Sequence, residues 1–365
     1  MKYFLFAALV LLSSLLAFPI ELAPSWRNYR IDGRQLTVFA QHQSPSGMVW
    51  LGCDGGLYAF DGFSARPVRT ESGEAFGAQV YAIVPRPDGL FWLGTNNGLY
   101  TCDPDRMTVT PVQRSVSEVR ALALCGSTLY IGTLGGLYAF DTASSRLTHL
   151  QASLPHDAVY ALLAAGSAPD ADLYIGTYDG LCRLAPGERR VSSFRPPAEI
   201  PPGRNFFVNA IVPGPTAGTL TLGVEGALMF FNTRTAEFTP VPAYSGQSVK
   251  DIAYTARGEM VVATDNGLLL APDLRHPEIF TVCRHDASDP SSIADNTVWS
   301  LSVSRGGQIF AGTAMGLSVG ETDSPVRTVQ LSEITGRNDG QQIYSILRDN
   351  RGRLWLGGNN GLIGV

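Results

Sequence analysis

Lysine is almost missing from this chain: 25 of its 27 basic residues are arginine, and only Lys2 and Lys250 are not. Charge of either sign is scarce as well, at 16% of residues against about 25% in an average domain. With a net charge of −5 and no basic run, a nucleic-acid-binding face is excluded. Cysteine is sparse and oddly numbered. Cys53, Cys102, Cys125, Cys182 and Cys283 include no CxxC pair, and the nearest two are 23 residues apart, so neither a disulfide, a metal site nor a cofactor is expected. Cys102, Cys125 and Cys182 stand where parallel segments carry Ala, Val or Leu, which reads as small buried hydrophobes. Beyond the first residues no apolar run approaches the 18 needed to span a bilayer.

The exception is the beginning. Lys2 precedes an apolar run from Tyr3 to Ala17, broken by Pro19 and Pro24, so residues 1–23 read as an export signal and place the chain in the periplasm. Cleavage after Ala17 or Ala23 would lack a small residue at −3 (Leu15 or Glu21), so retention as a short N-terminal anchor stays open beside cleavage.

What the chain has in abundance is glycine and proline, 39 and 23 residues, about 17% of the total against about 12% on average. That favours a turn-rich all-β fold. An internal repeat organises it, from WLGCDGGLYAFD (50–61), WLGTNNGLYTCD (92–103) and YIGTLGGLYAFD (130–141) through to WLGGNNGLIGV (355–365). Eight copies occur. Their first glycine falls at 52, 94, 132, 176, 223, 312 and 357, with Ala263 in the sixth copy, a period of about 44 that fits a four-stranded blade. An apolar strand ending in Gly, a short polar turn and then Gly-Leu form a β-hairpin whose second Gly, replaced only by Ala227, supplies a positive φ. An aromatic two positions before the first Gly (Trp50, Trp92, Tyr130, Tyr174, Phe310, Trp355) is expected as a wedge between blades.

Apolar runs upstream of the hairpins, such as VYAIV (80–84), VNAIV (208–212) and VWSLSV (298–303), are the inner strands. HDAVYALLAAG (156–166) alone would pass for a helix, but its register matches the other copies and predicts a strand. Segments including TVTPVQ (108–113), RLTHL (146–150) and VRTVQL (326–331) complete the sheets as outer strands. The prediction is an all-β propeller over residues 24–337, with 338–365 as an incomplete eighth repeat. The copies leave two rings open: seven blades followed by the start of a second propeller, closed by NYRID (28–32) through pairing of Tyr29 to Ile31 with the blade around Gly312, or a single eight-bladed ring closed by the same strand; the resemblance that follows favours the first.

The unit seen in RPDGLFWLGTNNGLY (86–100) and RDNRGRLWLGGNNGL (348–362) resembles the two-component regulator propeller repeat. More specifically, GLYAFDGF (56–63) and RHDASDPSSIADNTVWSL (284–301) are similar to the periplasmic sensor region of the hybrid two-component systems that regulate carbohydrate use in Bacteroidetes-type bacteria. That resemblance implies two seven-bladed propellers, a β-sandwich, a membrane helix and a histidine kinase in the full-length family. It also implies an oligosaccharide ligand, membrane proximity, and room for a homodimer of the full-length protein. The five histidines here (His42, His149, His156, His276, His285) have no phosphoacceptor context and no ATP lid is present, so the chain is expected not to be an enzyme.

Three functions compete: a sensor that binds an oligosaccharide without turnover, a glycosidase- or lyase-type propeller enzyme, and a protein-binding scaffold. The acidic pair Asp170 and Asp172 sits in an Ala/Pro-rich insertion and reads as a solvated loop. A ligand is expected at the face where inner strands begin, built from hairpin turns and entering connections. Most Asn and Asp there, Asn96 among them, also serve as turn formers. Tyr178 escapes that explanation, and the long connections add Arg204, Asn205, Asn296 and Trp299. These six residues are the expected ligand contacts, with Trp299 equally suited to the core.

Overall fold

Each repeat pairs an apolar strand with a second one across a two-residue turn, and a computed structural model shows how the pairs assemble. It describes residues 24–165, 171–188, 190–196, 205–241, 244, 246–271, 280–321, 342–349, 354–359 and 361–364. The expected export segment 1–23, the expected outer strand 326–331 and Arg204 lie outside these. The chain divides into two compact units, residues 1–322 and 323–365.

In the first unit the described residues form seven sheets, antiparallel except for the short strand Arg69–Thr70 that runs parallel to Thr108–Gln113 at the edge of the second, numbered here as blades 1 to 7 by their inner strands: Val38–Gln43, Val80–Pro85, Val119–Cys125, Val159–Ala165, Val208–Pro213, Val249–Tyr254 and Val298–Val303. Chain order runs outward, as in blade 3, where Val119–Cys125 is followed by Thr128–Thr133, Gly136–Asp141 and Arg146–Leu150. Every inner strand adjoins the next, and Val298–Val303 adjoins Val38–Gln43, so seven blades close a ring. The helix-like segment is the inner strand of blade 4.

Closure comes from the N-terminal strand. Trp26–Tyr29 pairs with Gly316–Glu321 as the outermost strand of blade 7, with Trp26 opposite Gly320 and Tyr29 opposite Leu317. The paired stretch thus lies earlier than Tyr29 to Ile31, because Asp32 and Gly33 take positive φ and fold Ile31 into a bridge with Arg34. The connection 284–296 locks this strand in place: Trp26 N–H donates to Ser291 O, Asn28 Nδ2 to Ser292 O, and Ala294 N–H to Ser318 Oγ.

The repeat residues find their reasons in the packing. A Cβ on Gly94 would sit 2.7 Å from Val119 Cγ1, so the first glycine of a hairpin is where the first valine of the next blade presses in. Across the closing seam it is the backbone carbonyl of Val38 that takes this place, 2.7 Å from where a Cβ on Gly312 would stand. The second glycine has positive φ in seven copies; in blade 5 the turn shifts, and Gly226 at φ 78° takes that role in place of Ala227. The threonine after the first glycine staples the turn. Thr264 Oγ1 donates to Gly267 O and accepts from Asn266 N–H, an arrangement repeated at Thr95, Thr133, Thr177 and Thr313. Trp50, Trp92, Tyr174 and Phe310 are buried wedges, Trp50 edge-on to Phe91 of the next blade and Trp92 edge-on to Phe140. All five cysteines are buried, and none is in a disulfide.

The second unit contains one described sheet of three strands, Ile343–Arg348, Leu354–Gly358 and Gly361–Gly364, which is not a member of the seven-sheet ring. The leucine of the Gly-Leu pair is 0–1% exposed in all seven blades, and its counterpart Leu362 is 69% exposed. Ile346 and Leu347 are likewise exposed.

Candidate functional site at the mouth of the central channel

Every inner strand breaks its register at the same place. Pairing with the second strand skips one residue between Val38 and Ala40, Val80 and Ala82, Val119 and Ala121, Val159 and Ala161, Val208 and Ala210, Val249 and Asp251, and Val298 and Ser300. Such a bulge re-aims the skipped side chain. The skipped residues are Phe39, Tyr81, Arg120, Tyr160, Asn209, Lys250 and Trp299, each half-buried at the end of the ring where the inner strands begin.

Their contacts run from blade to blade around the axis. Lys250 Nζ lies 5.2 Å from the Trp299 ring centroid, Trp299 is 5.6 Å from Phe39, Phe39 is 5.2 Å from Tyr81, and the Arg120 guanidinium sits 3.9 Å over Tyr81. Blades 6, 7, 1, 2 and 3 therefore present an arc of three aromatic rings with a cation at each end. On the facing side Tyr160 packs edge-on against Phe207 at 4.5 Å, Phe207 meets Tyr178 at 5.0 Å, and Tyr178 meets His156 at 5.1 Å. That second aromatic path leads from the channel mouth to the rim, where Tyr178 is 37% exposed.

Polar groups are interleaved. Ser248 Oγ donates to Glu225 Oε2 and accepts from Lys250 Nζ at 3.0 Å and from Asn209 Nδ2 at 3.4 Å. Arg120 Nη2 is bound to Glu118 at 2.7 Å. Asp251, beside Lys250 in sequence, turns inward instead: its carboxylate accepts Leu301 N–H of blade 7 and Ile252 N–H, both at 2.8 Å, and burial pushes its pKa up to about 6. No group of three or more metal-ligating side chains occurs among the described residues. Burial pushes the Cys182 and Cys283 thiols up to about 11, so neither supplies a thiolate nucleophile. Aromatic faces flanked by hydrogen-bond donors and acceptors suit the binding of a ring-bearing ligand.

Of the six expected contacts Arg204 lies outside the described residues, and the other five fall on the same end of the ring but do not form one cluster. Trp299 belongs to the aromatic arc. Tyr178 belongs to the path on the other side, with Asn205 exposed on the connection that precedes Phe207. Asn296 and Asn96 are held by the fold: Asn296 Oδ1 accepts His285 N–H at 2.8 Å and Asn96 Oδ1 accepts Gln79 N–H at 3.0 Å. Asn96 also lines a cleft of about 550 Å³ at the outer edge of blade 2, with Glu71, Tyr100 and Arg114. Asp179 likewise ties the connection down through Phe206 N–H and an ion pair with Arg195. Phe39, Tyr81, Arg120, Tyr160, Asn209 and Lys250 went unread in the sequence, although a signal was there. Position one of each inner run is always Val and position three mostly Ala, while position two takes six residue types in seven copies.

The two component regulator propeller family matches residues 338–360. Among solved structures, the chain is similar to one named as the extracellular domain of a hybrid two-component system, BT4673 of B. thetaiotaomicron, with 29% identity and a TM-score of 0.75 over 94% of this chain and 46% of that one. The extracellular domain of BT3049 of the same organism shares the fold at 20% identity and a TM-score of 0.68, covering 93% of this chain and 49% of that one. Virginiamycin B lyase from Staphylococcus aureus shares it at 11% identity and a TM-score of 0.61, covering 82% and 99%. No curated protein matches the sequence. The chain spans about half the length of the sensor structures it matches. The resemblance to sensor propeller regions read from the repeats thus holds across nearly the whole chain.

Proposed function

We propose that this chain is an exported sensor propeller that binds an oligosaccharide at the mouth of its central channel, without chemical turnover. One observation carries the reading: seven bulges aim a variable set of side chains, four of them aromatic, at one end of the ring, each between a constant valine and a position that is mostly alanine. Sugar rings stack on such faces, and the interleaved Asn209, Ser248, Arg120 and Lys250 offer hydrogen bonds to hydroxyls. The similarity to extracellular domains of hybrid two-component systems supports the sensor role, and residues 1–23 support a periplasmic location close to the membrane.

The test is retention. Oligosaccharide mixtures cut from plant and host polysaccharides are passed over the immobilised chain, and the bound fraction is eluted and weighed by mass spectrometry. Elution of unaltered oligosaccharide is expected. New reducing ends would make the protein an enzyme, and retention of nothing would leave the scaffold reading.

A further inference from the structure

Lys250 is the one lysine outside the export segment, and it stands in the channel ring. A chain that uses arginine at 25 of 27 basic positions has placed a compact, mobile point charge there rather than a planar fork. Its surroundings give that charge no direct ion pair, the Glu225 carboxylate reaching it only through Ser248. Nζ spends one of its three donors on Ser248 Oγ at 3.0 Å and faces Trp299 at 5.2 Å, and no carboxylate of the described residues lies within ion-pair distance of it. Glu225 is one step removed, its Oε2 taken by the Ser248 hydroxyl. The other cation of the arc differs: Arg120 is already paired with Glu118 at 2.7 Å. None of the seven ring residues is acidic.

A ligand covering the mouth would strip water from the Lys250 ammonium. Over a neutral ligand that loss has no Coulombic return, whereas an anion on the ligand converts it into a charge-assisted hydrogen bond. An unpaired charge on a binding surface therefore selects against ligands that cannot answer it. Resting on the oligosaccharide reading above, we infer that the ligand carries an anionic group on a sugar ring, a uronate carboxylate or a sulfate ester, which Lys250 binds while Trp299 stacks the ring that bears it. Lys250 is then the residue that determines specificity.

The experiment separates this inference from the reading beneath it. The oligosaccharide mixtures are divided by anion exchange into neutral, uronate-bearing and sulfated fractions, and each is applied to the wild-type chain, Lys250→Met and Lys250→Arg, with thermal melts to confirm that all three fold. The expected result is retention from one anionic fraction, with affinity falling at least tenfold in Lys250→Met and falling with added salt in the wild type and Lys250→Arg alone. Which anionic fraction is retained names the source. Retention from the neutral fraction only, or equal affinity in Lys250→Met, overturns the inference and leaves oligosaccharide binding standing. Retention from no fraction overturns the oligosaccharide reading itself.

Discussion

Asp251 occupies a register position where five other blades carry Ala40, Ala82, Ala121, Ala161 and Ala210, and its half-buried side chain turns the carboxyl into the joint between blades 6 and 7, where it accepts Leu301 N–H. Burial raises its pKa from 3.8 to about 6, partly offset by the Leu301 and Ile252 N–H groups it accepts. A carboxyl raised on folding is bound more tightly to its proton in the native state. Its contribution to stability is therefore complete below pH 3.8 and is lost as pH rises through about 6. A shift of about two units corresponds to roughly 3 kcal/mol, of which about 2–3 kcal/mol is lost between pH 4 and pH 7.5. Asp251→Ala removes the titration and leaves Leu301 N–H without its acceptor, a cost that does not depend on pH. Urea unfolding of both proteins, followed by tryptophan fluorescence at pH 4 and 7.5, isolates the effect, because every other titrating group cancels in the difference. The wild type should gain about 2–3 kcal/mol relative to Asp251→Ala at the lower pH. An equal difference at both pH values would refute the buried, inward-turned carboxylate.

Leu317→Ala should cost about 2–5 kcal/mol in unfolding experiments, while Leu362→Ala, at the same motif position with an exposed side chain, should change stability by less than about 0.5 kcal/mol. Trp26→Ala, at the closing strand, should cost about 3–5 kcal/mol and lower the melting temperature of the ring. Thr264→Val keeps the volume of the turn staple but strands Gly267 O and Asn266 N–H, and should cost about 1–3 kcal/mol by the same measurement. Trp299→Ala should weaken oligosaccharide retention while leaving the melt nearly unchanged, since Trp299 is only half-buried.

The inner strands and hairpins were legible because each rests on a pattern repeated through the chain, an apolar run, Gly-Thr, a turn and Gly-Leu, whereas the count of seven came from the family resemblance, since eight copies also fit an eight-bladed ring. Local departures were not. The closing strand ends at Tyr29 because Asp32 and Gly33 reverse the chain just beyond it, a conformation that the composition of NYRID does not announce. The connection 284–296 looked like a ligand loop on account of its polarity, yet its serines and Asp289 cap one another and anchor Trp26 and Asn28. At the blade 7–blade 1 seam, two departures from the repeat answer each other. Gln41 Nε2 donates to Ser300 O and Oγ at 3.0 and 2.9 Å, and Ser300 Oγ donates to Val38 O. The channel ring escaped for a different reason. A bulge is invisible in hydropathy, since the skipped residue follows a valine and mostly precedes an alanine like any strand residue, and only comparison of the copies reveals that it varies more than either neighbour.

The most direct test of the account is a crystal structure of the chain with the oligosaccharide it retains. The account predicts a sugar ring stacked on Trp299 or Phe39, with the chain of rings directed toward Tyr160 and Tyr178 and all seven bulges in place. Density in the blade 2 cleft beside Glu71, Tyr100 and Arg114, with the channel mouth empty, would contradict it.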